Sequence, residues 1–358
     1  METWRIGLNL VAKWSAHAIV QHIEDTKKNV INQARRLSIA PMMDWTDRHC
    51  RYLHRQLTGR ALLFTEMVTS AALVHGDVER LLGYDDSEHP VAVQLGGSDP
   101  RELAAAVAIC DRFGYDEINL NVGCPSDRVQ SGKFGACLMA EPDLVARCLA
   151  AMREATDTPV TVKCRIGIDD QDSEADLDRF VDTILPTGIA ALYVHARKAW
   201  LKGLSPKENR DIPPLDYGRV HRLKQRLGDV PVFLNGGIKS LAEAVTHLDR
   251  LDGVMLGRAA YHEPMILAEV DRAIFGDPAA PATLADIEAA MTAYAEQQRG
   301  RGVRLNQITR HMLGLANGLP GARRFRQILS VEACRPGAGP EVIAAAFAAI
   351  DRMAARVA

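Results

Sequence analysis

Asn121-Val122-Gly123-Cys124-Pro125 puts a thiol directly after Glu117-Ile118-Asn119-Leu120, a segment whose apolar and polar residues alternate as in a short strand. Gly123 permits a sharp turn and Pro125 ends any further strand pairing. Lys133, Phe134 and Gly135 follow in a loop rich in Ser and Gly. A thiol in a loop at the C-terminal end of a strand is where a parallel barrel would hold a reactive proton. In that setting Cys124 acts as an acid or a nucleophile, not as packing.

Two further groups of residues have spacings that could do chemistry. Asn235-Gly236-Gly237 and Gly257-Arg258 follow the seventh and eighth of a series of short apolar segments. In a barrel those two loops commonly bind phosphate: glycines let backbone N–H groups approach the oxygens, and Arg258 adds charge-assisted hydrogen bonds. Outside that context Gly-Gly is only a turn signal. Gln94, Lys163 and His195 end other apolar segments, and Pro41-Met42-Met43 ends the first. An amide, a cation and an imidazole around an apolar floor suit a flavin, with the amide on the pyrimidine edge and the lysine near N1 and C2=O. Each has a plainer reading: Gln94 as a polar residue of a barrel layer, Lys163 as a Schiff-base lysine, His195 as a general base or a buried structural histidine. An aldolase would also keep a lysine on a barrel strand. It leaves Cys124, its Gly-rich loop and the basic tail unexplained.

The elements that must position these residues are eight short apolar segments: Leu37–Met42, Ala61–Met67, Val91–Leu95, Ile118–Val122, Val160–Ile166, Ala191–His195, Val232–Asn235 and Gly253–Leu256. Helix-like patterns fill most gaps, opened by Asp99-Pro100, Glu141-Pro142 and Ser240. Eight β-α units predict an α/β fold, a (β/α)8 TIM barrel, with a doubly wound open sheet as the alternative. After Asp277-Pro278 an Ala-rich composition predicts an all-helical C-terminal domain of about four helices, broken at Gly300–Gly302, Gly318–Gly321 and Pro336–Pro340. The expected division is residues 1–36 as an extension of unassigned role, 37–277 as the catalytic barrel and 278–358 as the helical domain.

The formal net charge of −2 hides a local basic stretch. From Arg299 to Leu329 there is no Asp or Glu, but there are seven arginines. The seven cysteines of the chain form no C-x-x-C pair, which argues against zinc fingers, iron–sulfur clusters and a disulfide framework. No apolar run approaches the roughly 20 residues of a membrane span, and the N-terminus lacks a secretory signal pattern. A cytoplasmic protein with no metal is expected.

Ala40-Pro41-Met42-Met43-Asp44-Trp45-Thr46-Asp47 and Asn121-Val122-Gly123-Cys124-Pro125-Ser126 resemble the strand-one and catalytic signatures of the tRNA-dihydrouridine synthases. The likeness continues through Lys163-Cys164-Arg165, Val194-His195-Ala196-Arg197, Asn235-Gly236-Gly237 and Gly257-Arg258, and covers the chain from about Leu37 onward. The run from Lys198 to Arg210 is most similar to the A subfamily. The resemblance implies an FMN enzyme that reduces uridine to 5,6-dihydrouridine in the D-loop of tRNA, at positions 20 and 20a, with NADPH as co-substrate. It implies FMN contacts from Pro41, Met42, Met43, Gln94, Lys163, His195, Asn235, Gly236, Gly237, Gly257 and Arg258, and Cys124 as proton donor. It implies tRNA contacts from Lys207, Arg210, Arg323 and Arg326, with Asn121 on the uracil edge. An FMN enzyme acting on a free pyrimidine would share the barrel but leave the basic tail idle. A non-catalytic RNA-binding protein would leave Cys124, Lys163 and His195 without a purpose.

Overall fold

A computed structural model describes residues 29–357, the side chains of residues 127–128 and 351–357 excepted. Eight parallel strands run in one sheet: β1 Leu37–Ile39, β2 Leu63–Thr69, β3 Val91–Gly96, β4 Glu117–Val122, β5 Val160–Arg165, β6 Leu192–His195, β7 Val232–Asn235 and β8 Gly253–Leu256. From β2 to β8 each strand pairs with its sequence neighbour and β8 pairs with β1, which leaves β1 and β2 as the seam. The β1–β2 seam closes through a Ser38–Leu62 bridge, with Ile39 N–H donating to Leu62 O at 2.9 Å. The eight expected strands are all present. β1 is shorter than its apolar run, since Pro41 brings no N–H to the ladder.

Strand periodicity sends alternate residues to opposite faces. One face carries Leu37, Ile39, Val93, Leu120, Val162, Val194 and Leu234, which pack in one apolar cluster with buried residues of the helices. The other lines the barrel: Leu62, Phe64, Ala92, Ala191, Tyr193, Phe233 and Met255 form a separate, smaller cluster. Ile31, Ala34 and Arg35 close that cluster at its N-terminal end. Residues 29–34 are helical, so part of the stretch expected to be an unassigned extension is built into the barrel floor. Residues 1–28 lie outside the described residues.

The barrel interior is not wholly apolar. Arg35 Nε donates to Glu117 Oε2 at 2.7 Å, and Tyr193 OH donates to the same oxygen at 3.2 Å. Thr161 Oγ1 donates to Glu117 Oε1 at 2.5 Å and accepts from Asn119 Nδ2 at 2.8 Å. Gln94 Nε2 then donates to Asn119 Oδ1 at 2.8 Å, and Asn121 Nδ2 donates to Gln94 Oε1 at 2.7 Å. This hydrogen-bonded column climbs from the floor to the end of β4. The Arg35–Glu117 pair is 2% and 0% exposed, so protein groups replace water: Glu117 has Arg35, Tyr193 and Thr161, and Arg35 also donates through Nη1 to Asn32 Oδ1 at 2.8 Å.

The helices after the barrel are Leu284–Arg299, Leu305–Thr309, Ala322–Val331 and Glu341–Val357, and their breaks fall in the three expected Gly/Pro stretches. They dock on the loops after β1 and β8. Asp47 caps the helix Arg48–Leu57 by accepting from His49 and Cys50 N–H at 2.9 and 3.0 Å. The same carboxylate accepts from Arg310 and lies 3.0 Å from His311 Nε2. Tyr294 stacks on Tyr52 at 3.8 Å and hydrogen-bonds His49 Nδ1 at 2.8 Å. Asn317 Nδ2 donates to His262 O at 2.8 Å, just past β8. Among the described residues no helix is long and apolar enough to cross a membrane.

Two outcomes are expected. Glu117→Leu strands the buried Arg35 cation and costs about 3–5 kcal/mol in urea unfolding, whereas Arg35→Met with Glu117→Leu recovers most of the loss. Burial alone would raise the Asp47 pKa, but the hydrogen bond and charge of His311, with the Cys50 N–H, hold it well below the usual carboxylate range. A lowered folded-state pKa contributes stability that is complete above the unfolded value of about 3.9 and fades as pH falls below it. Asp47→Asn keeps the cap and loses the charge. It should cost about 1–3 kcal/mol at pH 7, with a gap to wild type that narrows in denaturation curves taken below about pH 4.

Candidate active site

Cys124 stands two residues past β4, partly exposed, with every peptide around it held. Asn121 Oδ1 accepts from the N–H groups of Gly123 and Cys124, both at 3.0 Å. Ala136 N–H donates to Cys124 O at 2.9 Å, an approach that needs Gly135: at its φ of +76° a Cβ would fall 2.6 Å from that oxygen. Arg165 Nε donates to Gly123 O at 2.9 Å, and Gln130 Nε2 donates to Pro125 O at 2.8 Å. The thiol itself donates to Ser126 Oγ at 3.5 Å. A cavity of about 350 Å³ opens beside it, bounded by Met43, Glu66, Met67, Ser126 and Phe134 among others.

The register brings the remaining strand-end residues to the same rim. Asn121 lies opposite Lys163, Arg165 opposite His195, and His195 opposite Asn235. Lys163 Nζ donates to Asn235 Oδ1 at 3.0 Å, and Asn235 Nδ2 donates to Met255 O at 2.8 Å. Burial, helped by the Arg165 charge, lowers the Lys163 pKa to about 8. Burial first, then Arg165, Lys163 and Arg197, hold His195 well below its ordinary range, so its ring is neutral at pH 7. Burial and the nearby Arg210 and Arg197 bring Arg165 down to about 10, still charged at neutral pH.

Gly236 and Gly237 sit at φ +116° and +74°, and the first packs directly on the imidazole: a Cβ there would fall 2.6 Å from His195 Cδ2. A Cβ on Gly237 would meet Leu215 at 2.5 Å. Arg258 begins the helix Arg258–His262, with Gly257 before it, and its Nη2 donates to Asp211 Oδ1 at 2.7 Å. Arg197 donates to the carbonyls of Asp211 and Pro213, but its Nε is buried without a partner among the described residues. Met42 packs against the inner barrel cluster, Pro41 is half-buried, and Met43 is 52% exposed on the rim. The rim thus holds Lys163, Arg165, Arg197 and Arg258, an apolar ledge, and glycine-lined loops. An orphaned buried donor amid excess cations fits a phosphate-bearing planar cofactor.

The structure gives several of the expected residues a second task. The Gln94 amide is engaged by Asn119 and Asn121, and Asn121 spends its oxygen on the Cys124 loop. Each amide keeps one N–H proton for another partner. Lys207 and Arg210 are exposed on the long loop after β6. Arg323 and Arg326 are exposed on one face of Ala322–Val331, whose Phe325, Ile328 and Leu329 point inward. Arg326 donates to Asn317 Oδ1 at 3.1 Å, which links it to the β8 end of the rim. The basic stretch does not act as one patch: Arg310 is bound to Asp47, Arg324 to Glu332 and Arg299 to Glu296. Arg165 and Gln130 went unassigned in the sequence. Arg165 stood in the Lys163-Cys164-Arg165 run at the end of the fifth apolar segment without a role of its own; nothing marked Gln130.

The profile described as dihydrouridine synthase matches residues 38–349. The tRNA-dihydrouridine(20/20a) synthase of Xanthomonas campestris pv. campestris is 56% identical over 323 residues, 90% of this chain and 96% of that protein. Proteins of the same name from Vibrio parahaemolyticus and Shewanella oneidensis are 56% and 54% identical, covering 88% and 90% of this chain and 97% and 98% of their own. The barrel is also similar to the solved old yellow enzyme homologue of Zymomonas mobilis, with a TM-score of 0.50 at 12% identity over 70% of this chain and 92% of that one. That last likeness concerns the fold alone. With a profile match spanning nearly all of the barrel and the helices that follow it, this chain belongs to the dihydrouridine synthase family.

Proposed function

We propose that this protein reduces uridine to 5,6-dihydrouridine in the D-loop of tRNA, at positions 20 and 20a, with FMN as cofactor and NADPH as the electron source. The balance is one NADPH, one proton and one uridine giving NADP⁺ and dihydrouridine. The observation that carries the reading is the Cys124 thiol, partly exposed on the rim that also holds Lys163 and His195. Relatives above 50% identity that bear the tRNA-dihydrouridine synthase name support it.

Gly236, Gly237, Gly257, Arg258 and Asn235 hold the phosphate end of FMN. Pro41, Met42 and Met43 give the ring an apolar ledge, and Gln94, Lys163 and His195 meet its polar edge. Bound and reduced, the flavin supplies a hydride equivalent to C6 of uracil. The chain supplies the rest. Lys163, largely protonated at pH 7, places positive charge where the cofactor carries negative charge. His195, neutral, orients by hydrogen bonding without adding charge. Asn121 presents its remaining N–H to a uracil carbonyl. Cys124 gives its proton to C5: the Sγ–H bond breaks, the C5–H bond forms, and Sγ is left as thiolate until solvent returns a proton.

The substrate base must leave its stack to reach a barrel rim, which favours an unpaired loop nucleotide. Lys207 and Arg210 beside the rim, and Arg323 and Arg326 on the C-terminal helices, hold the phosphates around it. Residues 278–358 serve as the RNA-holding unit. A free-pyrimidine reductase would have no use for these outward arginines.

Cys124→Ala should retain flavin and oxidise NADPH like wild type while dihydrouridine in tRNA, mapped by sequencing or mass spectrometry, falls by at least about 10²-fold. Full product formation by that variant would remove Cys124 from the mechanism. Neutralising Arg323 and Arg326 together should weaken tRNA binding and lower the slope of log affinity against log salt by about two, one for each lost phosphate contact. An unchanged slope would return both to an ordinary solvated face.

A further inference from the structure

Two side chains tie the Cys124 loop to the loop after β6. Gln130 Nε2 donates to Pro125 O at 2.8 Å and to Leu201 O at 2.9 Å. Arg165 donates through Nε to Gly123 O at 2.9 Å, and through Nη1 to Lys198 O at 2.9 Å and Asn209 O at 3.0 Å. The carbonyls on both sides of Cys124 are therefore held by donors that also hold the β6 loop. That loop is itself stiff: Asn209, fully buried, accepts from Trp200 N–H at 2.8 Å and donates to Trp200 O at 2.9 Å. Its exposed cations, Lys207 and Arg210, flank Asn209 on either side. A shift of the backbone that carries them reaches the peptides around Cys124 through two hydrogen-bonded links.

A primary amide suits the Gln130 position because its two N–H protons diverge and can serve two carbonyls at once. A carboxylate of the same length has no proton to donate and would set negative charge against both oxygens. Arg165 is only 3% exposed, and its loss would leave several buried carbonyls unpaired. Gln130 is half-buried, so replacing it perturbs the link with less disturbance of the core.

We propose that Gln130 is a positioning residue for the protonation step, setting where the Cys124 thiol stands relative to uracil C5 and making that placement depend on the RNA-contacting loop after β6. This rests on the reading of Cys124 as the proton donor. Transfer from Sγ–H to C5 needs donor and acceptor in near contact, and a misplacement on the order of 1 Å costs about 10²-fold in rate. Binding of RNA by the β6 loop and delivery of the proton are in this way two ends of one rigid link.

The test uses the full-length holoenzyme, reduced beforehand, with saturating tRNA, as wild type, Gln130→Ala and Gln130→Glu. Both variants should keep wild-type flavin content and wild-type NADPH oxidation without tRNA. The limiting rate of dihydrouridine formation should fall about 10- to 100-fold, while half-saturating tRNA changes by less than about threefold. Relative to wild type, Gln130→Glu should regain rate as pH falls toward the carboxyl range of about 4–6, because a protonated carboxyl recovers one donor. An unchanged limiting rate overturns the proposal. So does an equal loss of flavin or NADPH oxidation, and so does a Gln130→Glu to wild-type ratio that is flat with pH. A wild-type enzyme that forms no dihydrouridine overturns the underlying assignment of function instead.

Discussion

The buried ion pair between Arg35 and Glu117 is the constraint from which the rest of the barrel follows. A carboxylate placed inside a barrel is tolerated only with a partner charge and full hydrogen bonding. Arg35 answers it from below, Tyr193 and Thr161 from the side. Once Thr161 is committed, Asn119 has one partner and seeks another in Gln94, and Gln94 engages Asn121. The column ends at the backbone of Cys124. Polar residues in the interior of this barrel therefore set the position of a loop at its mouth, and they do so through side-chain amides that have few alternative orientations.

At the mouth the electrostatics are lopsided. Lys163, Arg165, Arg197, Arg210 and Arg258 gather there, and Asp211 answers mainly Arg258. Burial, with mutual repulsion added to it, lowers the pKa values of Arg165, Arg197, Arg210 and Lys163, the last to about 8. Anions relieve such a site on binding, which suits a phosphate-bearing cofactor and an RNA backbone alike. Burial, with these cations beside it, keeps His195 neutral, and among the described residues the Arg197 Nε has no acceptor. Strain of this sort is tolerated because the loops are bolted together elsewhere, by Arg165, Gln130 and Asn209.

The C-terminal helices depend on Asp47 in a similar way. One carboxylate caps a barrel helix and pairs with Arg310 and His311 across the junction. A stretch that is free of acid in sequence is thus not free of acid in space. Arg310, Arg324 and Arg299 find Asp47, Glu332 and Glu296, while Arg323 and Arg326 stay outward.

Much of this was legible in the chain itself, because short-range physics dictates it. Alternating and continuous apolar runs mark eight strands, Pro and Gly punctuate them, and Asp99 and Ser240 cap the helices that follow. Chemistry-bearing residues at strand ends follow from the same periodicity, since a parallel barrel presents all its C-terminal ends on one rim. Other features depend on which distant residues meet. That Arg35 belongs to the barrel floor, that Gln94 and Asn121 hold each other, and that Gln130 and Arg165 lock two loops together are consequences of register and closure. Partners separated by tens to hundreds of residues leave no periodic trace in a single sequence. Local sequence determined the elements and placed a thiol after β4; tertiary packing decided what holds that thiol, and which of the arginines are paired with carboxylates and which face outward.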